Sequence, residues 1–500
     1  MPVSGSPAPV EVDTLIVGAG FAGLGLAIRL QRERRGSYLV LERANDVGGT
    51  WRDNVYPGVA CDIPSHLYSF SFRPNPDWSQ FYSPGGEILR YLQDAARDEG
   101  ILPRLRFGAE LTEARWDADG ECWEVSTTAG AFRGRTLVVA TGRLSEKRVP
   151  DIEGLGTFGG GVLHSSEWPD ELELAGRRVG LVGTGASAVQ LLPALAERAA
   201  GVVVFQRSAP YVVPRRNTMF SSADRAALAA DPEAAQALRR TLFWEAEAGF
   251  TARIRATSPL SRLGATAADH LRAQVPDARL REALTPDYEI GCKRVLLSDD
   301  YYPSLSRPGV ELEPSAVVRV DRSGVIAASG HRHELDLLIL ATGFTSTEPP
   351  IAGRVRGRDE LLLADAWAGG MVAYNSTAVA GFPNLFVIDG PNASLGHNSA
   401  VHMIETQIGF VLEALDHLSA TGASTLEPTR TAQDAYVREL DRRAATTVWT
   451  SGGCRSWYVD ERSGRLTLLW PDTASAFREE AGRFEPGDFV RRLAGGGVAG

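Results

Sequence analysis

The sequence predicts an α/β fold in two similar units, each a parallel sheet with flanking helices and an added β-meander. Three observations carry this prediction. Two glycine-rich loops, Gly18-Ala19-Gly20-Phe21-Ala22-Gly23 and Gly183-Thr184-Gly185-Ala186-Ser187-Ala188, each stand between a short apolar run and a helical pattern. Each unit then carries an alternating stretch broken by turn residues, which reads as a meander. Each closes on an apolar strand ending in Ala-Thr-Gly, at Ala140-Thr141-Gly142 and at Ala341-Thr342-Gly343. This is one nucleotide-binding unit duplicated within the chain, and it reads as two Rossmann-like domains in three layers.

The first unit begins with Thr14-Leu15-Ile16-Val17, a buried parallel strand feeding the loop. Gly18 and Gly20 let the backbone turn tightly and approach a pyrophosphate, and Gly23 lets the next helix, Leu24 to Arg32, pack close. That helix offers its N-terminal N–H groups to phosphate. Tyr38 to Leu41 is the second strand, and it ends in Glu42, an acid about 20 residues past the loop, where a ribose diol is expected. Gly48-Gly49-Thr50-Trp51, Tyr56-Pro57-Gly58 and Cys61 to Ser69 hold too many Gly, Pro and polar residues for regular elements and read as site-lining loops. Composition alone reads Asp62 first as a turn residue, with a role in the site these loops line as the lesser alternative. The meander is read as Leu111–Trp116, Cys122–Ser126 and Ala131–Arg133, with Leu137 to Ala140 returning to the sheet.

The second unit repeats the pattern with Val179 to Val182, the second loop, a helix and the strand Val202 to Phe205. A meander is read over roughly Val310 to Glu334, then the strand Leu337 to Leu340. The second unit is the longer one, and its surplus is Ala/Arg/Leu-rich and reads as a helical insert at about 218–290. The two units differ where the second strand ends. Glu42 suits two free ribose hydroxyls, whereas Gln206-Arg207-Ser208 offers an arginine suited to a 2′-phosphate. A solvent-facing surface arginine is the competing reading of Arg207. After Gly343 the chain is expected to return to the first unit, with a strand at Leu385 to Ile388, a loop at Asp389-Gly390-Pro391-Asn392, and a helix near Ser399 to Leu418. The N-terminus of that helix is suited to negative charge on a bound ligand. The expected domains are 1–145 and 341–500 for the first dinucleotide, the latter with the substrate-pocket region, and 146–340, inserted between them, for the second.

With 500 residues the chain exceeds one core. Its net charge of -10 and the lack of a Lys/Arg block argue against nucleic acid. No apolar run reaches a membrane span and no signal peptide is visible, so a cytoplasmic protein is expected, as monomer or homodimer. Cys61, Cys122, Cys292 and Cys454 lie far apart with no C-x-x-C, which predicts reduced thiols, no zinc site and no redox dithiol. No metal is expected. The Pro/Ser/Gly-rich start and Gly495 to Gly500 read as disordered ends.

Between the two units lies Phe158 to Asp170, F-x-G-x-x-x-H-x-x-x-W-P-D, with Phe158, Gly160, His164, Trp168, Pro169 and Asp170 as its fixed points. This pattern, the two loops, Gly48-Gly49-Thr50-Trp51, Arg207 and Gly291-Cys292-Lys293-Arg294 together resemble the Baeyer–Villiger branch of the flavin monooxygenases, from Val17 to about Leu415. The sequence departs from many members at Val295, where Pro follows the Lys-Arg pair, and in its C-terminal third. The resemblance implies FAD on the first unit and NADPH on the second. It puts Arg294 over the flavin, Asp62 behind it, Lys293 at the NADPH phosphate, and His164 in domain coupling. Cofactor contacts are then expected from Gly18, Gly20, Gly23, Glu42, Arg43, Gly49, Thr50, Trp51, Asp62, Tyr68, Thr141 and Asn392. On the NADPH side they are expected from Gly183, Thr184, Gly185, Ala186, Ser187, Arg207, Lys293, Ala341, Thr342 and Gly343.

The implied reaction inserts one atom of O2 beside a ketone carbonyl, through a flavin C4a-peroxide, to give an ester or lactone. A guanidinium suits the oxyanion of such a reaction because it holds its charge. Three other readings stand beside this one: oxygenation of S or N on the same scaffold, a two-nucleotide reductase, which would need a dithiol, and a redox sensor without turnover.

Overall fold

The computed structural model describes residues 8–250, 257–493 and 497–499. Two sheets organise it. The first runs Val355–Arg356, Leu111–Asp117, Cys122–Thr127, Gly130–Val139, Val10–Val17, Tyr38–Leu41 and Leu105–Arg106, with Leu385–Val387 also on Gly130–Val139. The second runs Val310–Glu313, Gly201–Phe205, Arg178–Val182, Leu337–Leu340 and Gly161–His164. All strands of the second sheet fall between residues 161 and 340, so this unit interrupts the strands of the first.

The register follows from the apolar runs. Leu15 lies between Leu39 and Leu137, and Ile16 between Val40 and Val138. Such strands are buried on both faces, which is why they read as unbroken hydrophobic runs. One face is covered by the helix Phe21–Glu33, whose Leu24, Leu26 and Ile28 are wholly buried. Each such side chain contributes about 1.5–3 kcal/mol of transfer free energy. This helix packs on the long helix Ala400–Thr421 through Gly25, where a Cβ would stand 2.8 Å from Phe70 and 2.9 Å from Ile408.

The structure revises several expectations. The third meander strand and the return strand are one strand of 10 residues, Gly130–Val139; its first half pairs antiparallel with the meander and its second half lies among the parallel strands. Val310–Glu313 belongs to the second sheet, parallel to Gly201–Phe205, and the meander proper is Val317–Val320, Gly324–Ala327 and Arg332–Glu334. The helix Gly85–Asp98 was not anticipated, and Thr50–Asp53 forms a short helix within the expected loops. The insert is helical as expected, with Ser222–Ala230, Pro232–Ala248, Thr257–Gln274 and Ala278–Ala283. At the C-terminal end Gly497–Ala499 pairs with Arg491–Leu493, so this part of the Gly-rich end is a strand; the expected disorder of residues 1–7 lies outside the described residues.

The two crossings between the units lie side by side. Arg148 donates its N–H to the Gly343 carbonyl at 2.8 Å, and Thr345 to that of Glu146 at 2.8 Å. Lys147 and Phe344 form an antiparallel bridge, and the Thr342 hydroxyl donates to the Arg148 carbonyl at 2.6 Å. Among the described residues no helix is long and apolar enough to cross a membrane.

The largest revision concerns cysteine. Cys292 and Cys454 form a disulfide, with Cα atoms 6.1 Å apart. The expectation of four reduced thiols fails because the partners are 162 positions apart, a separation that local spacing cannot reveal. Cys61 and Cys122 are free.

Candidate active site

A single cavity of about 1110 Å³ reaches from the first glycine loop to the second. The same device builds both loops. Gly18 has φ +107°, and a Cβ there would stand 2.5 Å from the Ala140 carbonyl oxygen. Gly183 has φ +113°, and its Cβ would stand 2.5 Å from the Ala341 carbonyl oxygen. The alanine of each Ala-Thr-Gly end therefore backs the first glycine of its own loop, and only glycine fits there. Gly23 faces the carbonyl of Gly18 at 1.8 Å from an ideal Cβ, which sets the close helix approach; it lies behind the cavity wall. Gly20 and Gly49 lie back to back, 3.2 Å from the Cβ position of Gly49 to the Gly20 Cα.

On the first unit Gly18, Gly20, Glu42, Arg43, Gly49, Thr50, Trp51, Asp62, Tyr68 and Thr141 line the cavity. Glu42 is buried and already accepts from the Ala19 N–H at 2.8 Å, the Ala44 N–H at 3.0 Å and Arg52 at 3.0 Å. A carboxylate has about four acceptor sites, so capacity for a hydroxyl remains. Arg43 pairs with Glu146. Trp51 donates to the Tyr68 hydroxyl at 3.3 Å, and the two rings meet edge to face. Asn392 is placed elsewhere. Its amide donates to the carbonyls of Leu466 at 2.6 Å and Leu469 at 2.9 Å, which ties two loops together outside the cavity wall.

On the second unit Gly183, Thr184, Gly185, Ala186, Ser187, Arg207, Lys293, Ala341, Thr342 and Gly343 line the same cavity. The Thr184 hydroxyl donates to the Ser208 carbonyl at 2.9 Å, and the Lys293 ammonium to the Ser208 hydroxyl at 2.7 Å. Lys293 also lies over the Tyr288 ring, 4.5 Å from its centre. Burial and the nearby charge of Arg207 both push the Lys293 pKa down. Among the described residues no carboxylate pairs with Arg207. Two cations held together, with Asp287 acting on Lys293 only as the smallest of its influences, fit a phosphate group.

Between the units stands the pair Asp62–Arg294. The Arg294 Nε–H donates to Asp62 Oδ2 at 2.6 Å. Burial works against both charges, and each partner overrides it for the other. Asp62 is held below the usual carboxylate range by Arg294, with a smaller push from Arg215, and Arg294 is held above the usual arginine range by Asp62. Because Nε is the atom spent on Asp62, the two terminal nitrogens remain for the cavity that Arg294 lines. The Cys292–Cys454 disulfide joins the strand of chain carrying Arg294 to the segment carrying Trp457 and Tyr458, which also line the cavity.

The six motif positions lie off the cavity. Phe158 packs under the second meander, Trp168 packs against the core of the second sheet, and Pro169 and Asp170 face solvent. At Gly160 a Cβ would stand 2.4 Å from the Asp336 carbonyl oxygen. His164 ends the edge strand Gly161–His164, is buried, and sits 3.1 Å from the Gly343 carbonyl through Nε2 and 2.8 Å from the Ser166 hydroxyl through Nδ1. Burial lowers its pKa, which keeps it neutral. It therefore fastens the stretch between the loops to the second Ala-Thr-Gly.

Sequence reasoning missed Arg143, Ser208, Arg215 and the Trp457-Tyr458 pair. Arg143 had a visible signal, since it follows the first Ala-Thr-Gly where Phe344 follows the second. Trp457 and Tyr458 had none, because an aromatic in a loop does not announce which cavity it faces.

Comparison with known proteins agrees with this geometry. The NAD(P)-binding Rossmann-like domain family matches residues 16–84. The chain is similar to a protein of Streptomyces coelicolor named Baeyer-Villiger monooxygenase, 43% identical over 96% of this chain and 92% of that one. It is similar also to a Pseudomonas aeruginosa protein of the same name, 38% identical over 94% of this chain and 89% of that one. Among solved structures it is similar to a closed form of cyclohexanone monooxygenase, with TM-score 0.86, 27% identity, and coverage of 97% and 100%. It is similar to an oxidized steroid monooxygenase bound to NADP, with TM-score 0.85, 32% identity and the same coverage.

Proposed function

Since the chain belongs to the Baeyer–Villiger monooxygenases, we propose that it uses FAD on the first unit and NADPH on the second to insert one oxygen atom of O2 beside a ketone carbonyl, giving an ester or lactone. The observation that carries this reading is Arg294, held by Asp62 where the walls of the two units meet. Bound flavin supplies the redox and oxygen-activating chemistry, and NADPH the hydride.

The residues of this chain bind, orient and shield. The backed glycine loops leave room for pyrophosphate and offer helix N-termini to it. Arg207 and Lys293 hold the 2′-phosphate of NADPH, with Ser208 fixing the lysine. Asp62 sets the plane of the Arg294 guanidinium, so the terminal N–H groups point at fixed positions before substrate arrives. They stabilise the negative charge that develops on the carbonyl oxygen as the ketone is attacked. A donor so preorganised spends nothing on reorientation during reaction. Trp457 and Tyr458, tethered through the disulfide, close the same end against water.

Oxygenation of S or N is disfavoured by the comparisons, in which relatives 43% and 38% identical carry the Baeyer–Villiger name. The reductase reading was set aside for want of a cysteine pair; a pair exists, but it is the tether between Arg294's segment and Trp457's, and the family assignment disfavours that reading instead. The test is a panel of cyclic and linear ketones beside thioethers and tertiary amines, with NADPH in air, scored by product mass. An added oxygen in an ester is the expected result. Sulfoxide or N-oxide formation without any ester would overturn the reading.

A further inference from the structure

Arg143 is the charged group of the cavity that the reaction above leaves unused. It stands one residue past the first Ala-Thr-Gly. At the matching place of the second unit stands Phe344, whose ring meets His164 edge to face, 5.6 Å between centres. The duplicated scaffold therefore does not require a cation here.

The guanidinium of Arg143 is only partly satisfied. One terminal nitrogen pairs with Asp389. Its Nε is buried without a hydrogen-bond partner, and Nη2 has no acceptor among the described residues. The side chain keeps 14% of its surface, and both Arg143 and Asp389 line the cavity. Burial costs a charged group unless hydrogen bonds replace water, and one carboxylate does not satisfy a five-donor fork. Burial lowers its pKa to about 10, so it is charged at neutral pH.

Its surroundings indicate what completes it. Besides Asp389, Tyr68, Arg294 and Tyr458 lie close enough for their charges or hydroxyls to act on Arg143. The flavin ring has its own source of positive potential in the N-terminus of Ala400–Thr421, whose Ala400 lines the cavity. Arg294 and Asp62 compensate each other, as do Arg143 and Asp389, so an anion entering beside Arg143 meets the open Nη2 without a net repulsive charge.

Resting on the ketone reading above, we propose that Arg143 is a specificity-determining residue, whose guanidinium, anchored by Asp389, grips a carboxylate carried on the ketone substrate. The carbonyl lies at Arg294 and the carboxylate at Arg143, so the two arginines read two different groups of one molecule. A charge-assisted hydrogen bond from Nη2 gives such a site preference for the acid over its ester.

The probes are a linear methyl-ketone fatty acid, its methyl ester and the plain methyl alkyl ketone of equal chain length. The variants are Arg143→Met and the double variant Arg143→Met with Asp389→Asn, which leaves no unpaired buried carboxylate. The readouts are equilibrium dialysis of each probe against FAD-loaded enzyme, KM and kcat by ester product, and FAD affinity. The expected result is a KM and Kd for the keto acid at least tenfold above the unmodified enzyme's in both variants, with the two neutral ketones changed less than threefold and FAD still bound. Equal losses for all three probes, no preference for the acid in the unmodified enzyme, or loss of FAD in both variants would each overturn the proposal, the last by making Arg143 a cofactor contact. Should the unmodified enzyme oxygenate no ketone at all, the functional reading fails, while dialysis of acid against ester still decides the role of Arg143.

Discussion

Replacing Arg294 separates the two half-reactions, and the geometry sets how each substitution behaves. The Nε–H to Asp62 Oδ2 bond of 2.6 Å spends one donor on orientation and leaves the terminal nitrogens for the reacting oxygen. Arg294→Ala removes both functions. Loss of one preorganised donor at a developing oxyanion costs roughly 2.7–4 kcal/mol, or about 10²–10³ in rate. Ester formation is expected to fall by that factor or more, while NADPH still bleaches the flavin and oxygen leaves as hydrogen peroxide. Arg294→Lys is expected to rescue poorly for a reason visible in the bond itself. A single ammonium can stay on Asp62 or reach the cavity, whereas a guanidinium does both. Asp62→Asn keeps an acceptor for Nε without the charge, and should lower ester yield less than Arg294→Ala. Flavin absorbance, hydrogen peroxide and ester are followed together in one stopped reaction. Near-normal ester yield from Arg294→Ala would remove this residue from oxygen insertion.

Arg207→Ala should raise KM for NADPH with a cost of about 1.5–3 kcal/mol and leave NADH kinetics unchanged; an unaltered NADPH/NADH ratio would refute the phosphate assignment. Gly183→Ala forces a Cβ to within 2.5 Å of the Ala341 carbonyl oxygen at φ +113°, so it should abolish NADPH binding while FAD stays bound, as read by flavin content and cofactor titration. Glu247 accepts from His397, Asn398, Ala474 and Ser475; burial raises its pKa, and these donors outweigh burial to hold it at about 2. Its folded pKa lies below the usual value of 4.5, so it stabilises the fold above that value and the contribution is lost as pH falls from about 4.5 to about 2. Glu247→Gln should therefore lower Tm at neutral pH and flatten its fall between those values; parallel Tm curves for variant and parent would contradict this. Cys454→Ser should loosen the segment of Trp457 and Tyr458 and raise hydrogen peroxide release at unchanged flavin reduction, and equal coupling in the variant would show that the tether is dispensable.

Local chemistry made much of the fold legible, and distance hid the rest. The strands Tyr38–Leu41 and Leu337–Leu340 fall where their apolar runs stand, because a strand buried on both faces has little choice of composition. The backing of Gly18 by Ala140 and of Gly183 by Ala341 gives a physical cause for the repeated Ala-Thr-Gly, which had been visible only as a pattern. The Asp62–Arg294 pair joins residues 232 positions apart, and only family resemblance pointed to it. The Cys292–Cys454 bond is the same kind of case without that help. Asn392 shows the opposite error: a polar residue in a loop near a ligand was expected to face it, and the structure spends its amide on two backbone carbonyls.

The paired crossings have a mechanical consequence. Because Glu146 to Arg148 and Thr342 to Thr345 are hydrogen-bonded to one another, they act as a two-ply strap rather than as two independent tethers. A lone tether lets a body tumble about any direction, but a two-ply strap resists shear and bends easily about one line only. His164, bonded to Gly343, fastens the edge strand Gly161–His164 to that strap. The Cys292–Cys454 disulfide and the Asp62–Arg294 pair join the same two units at the cavity, so the units are held at two separate places, the strap and the cavity wall.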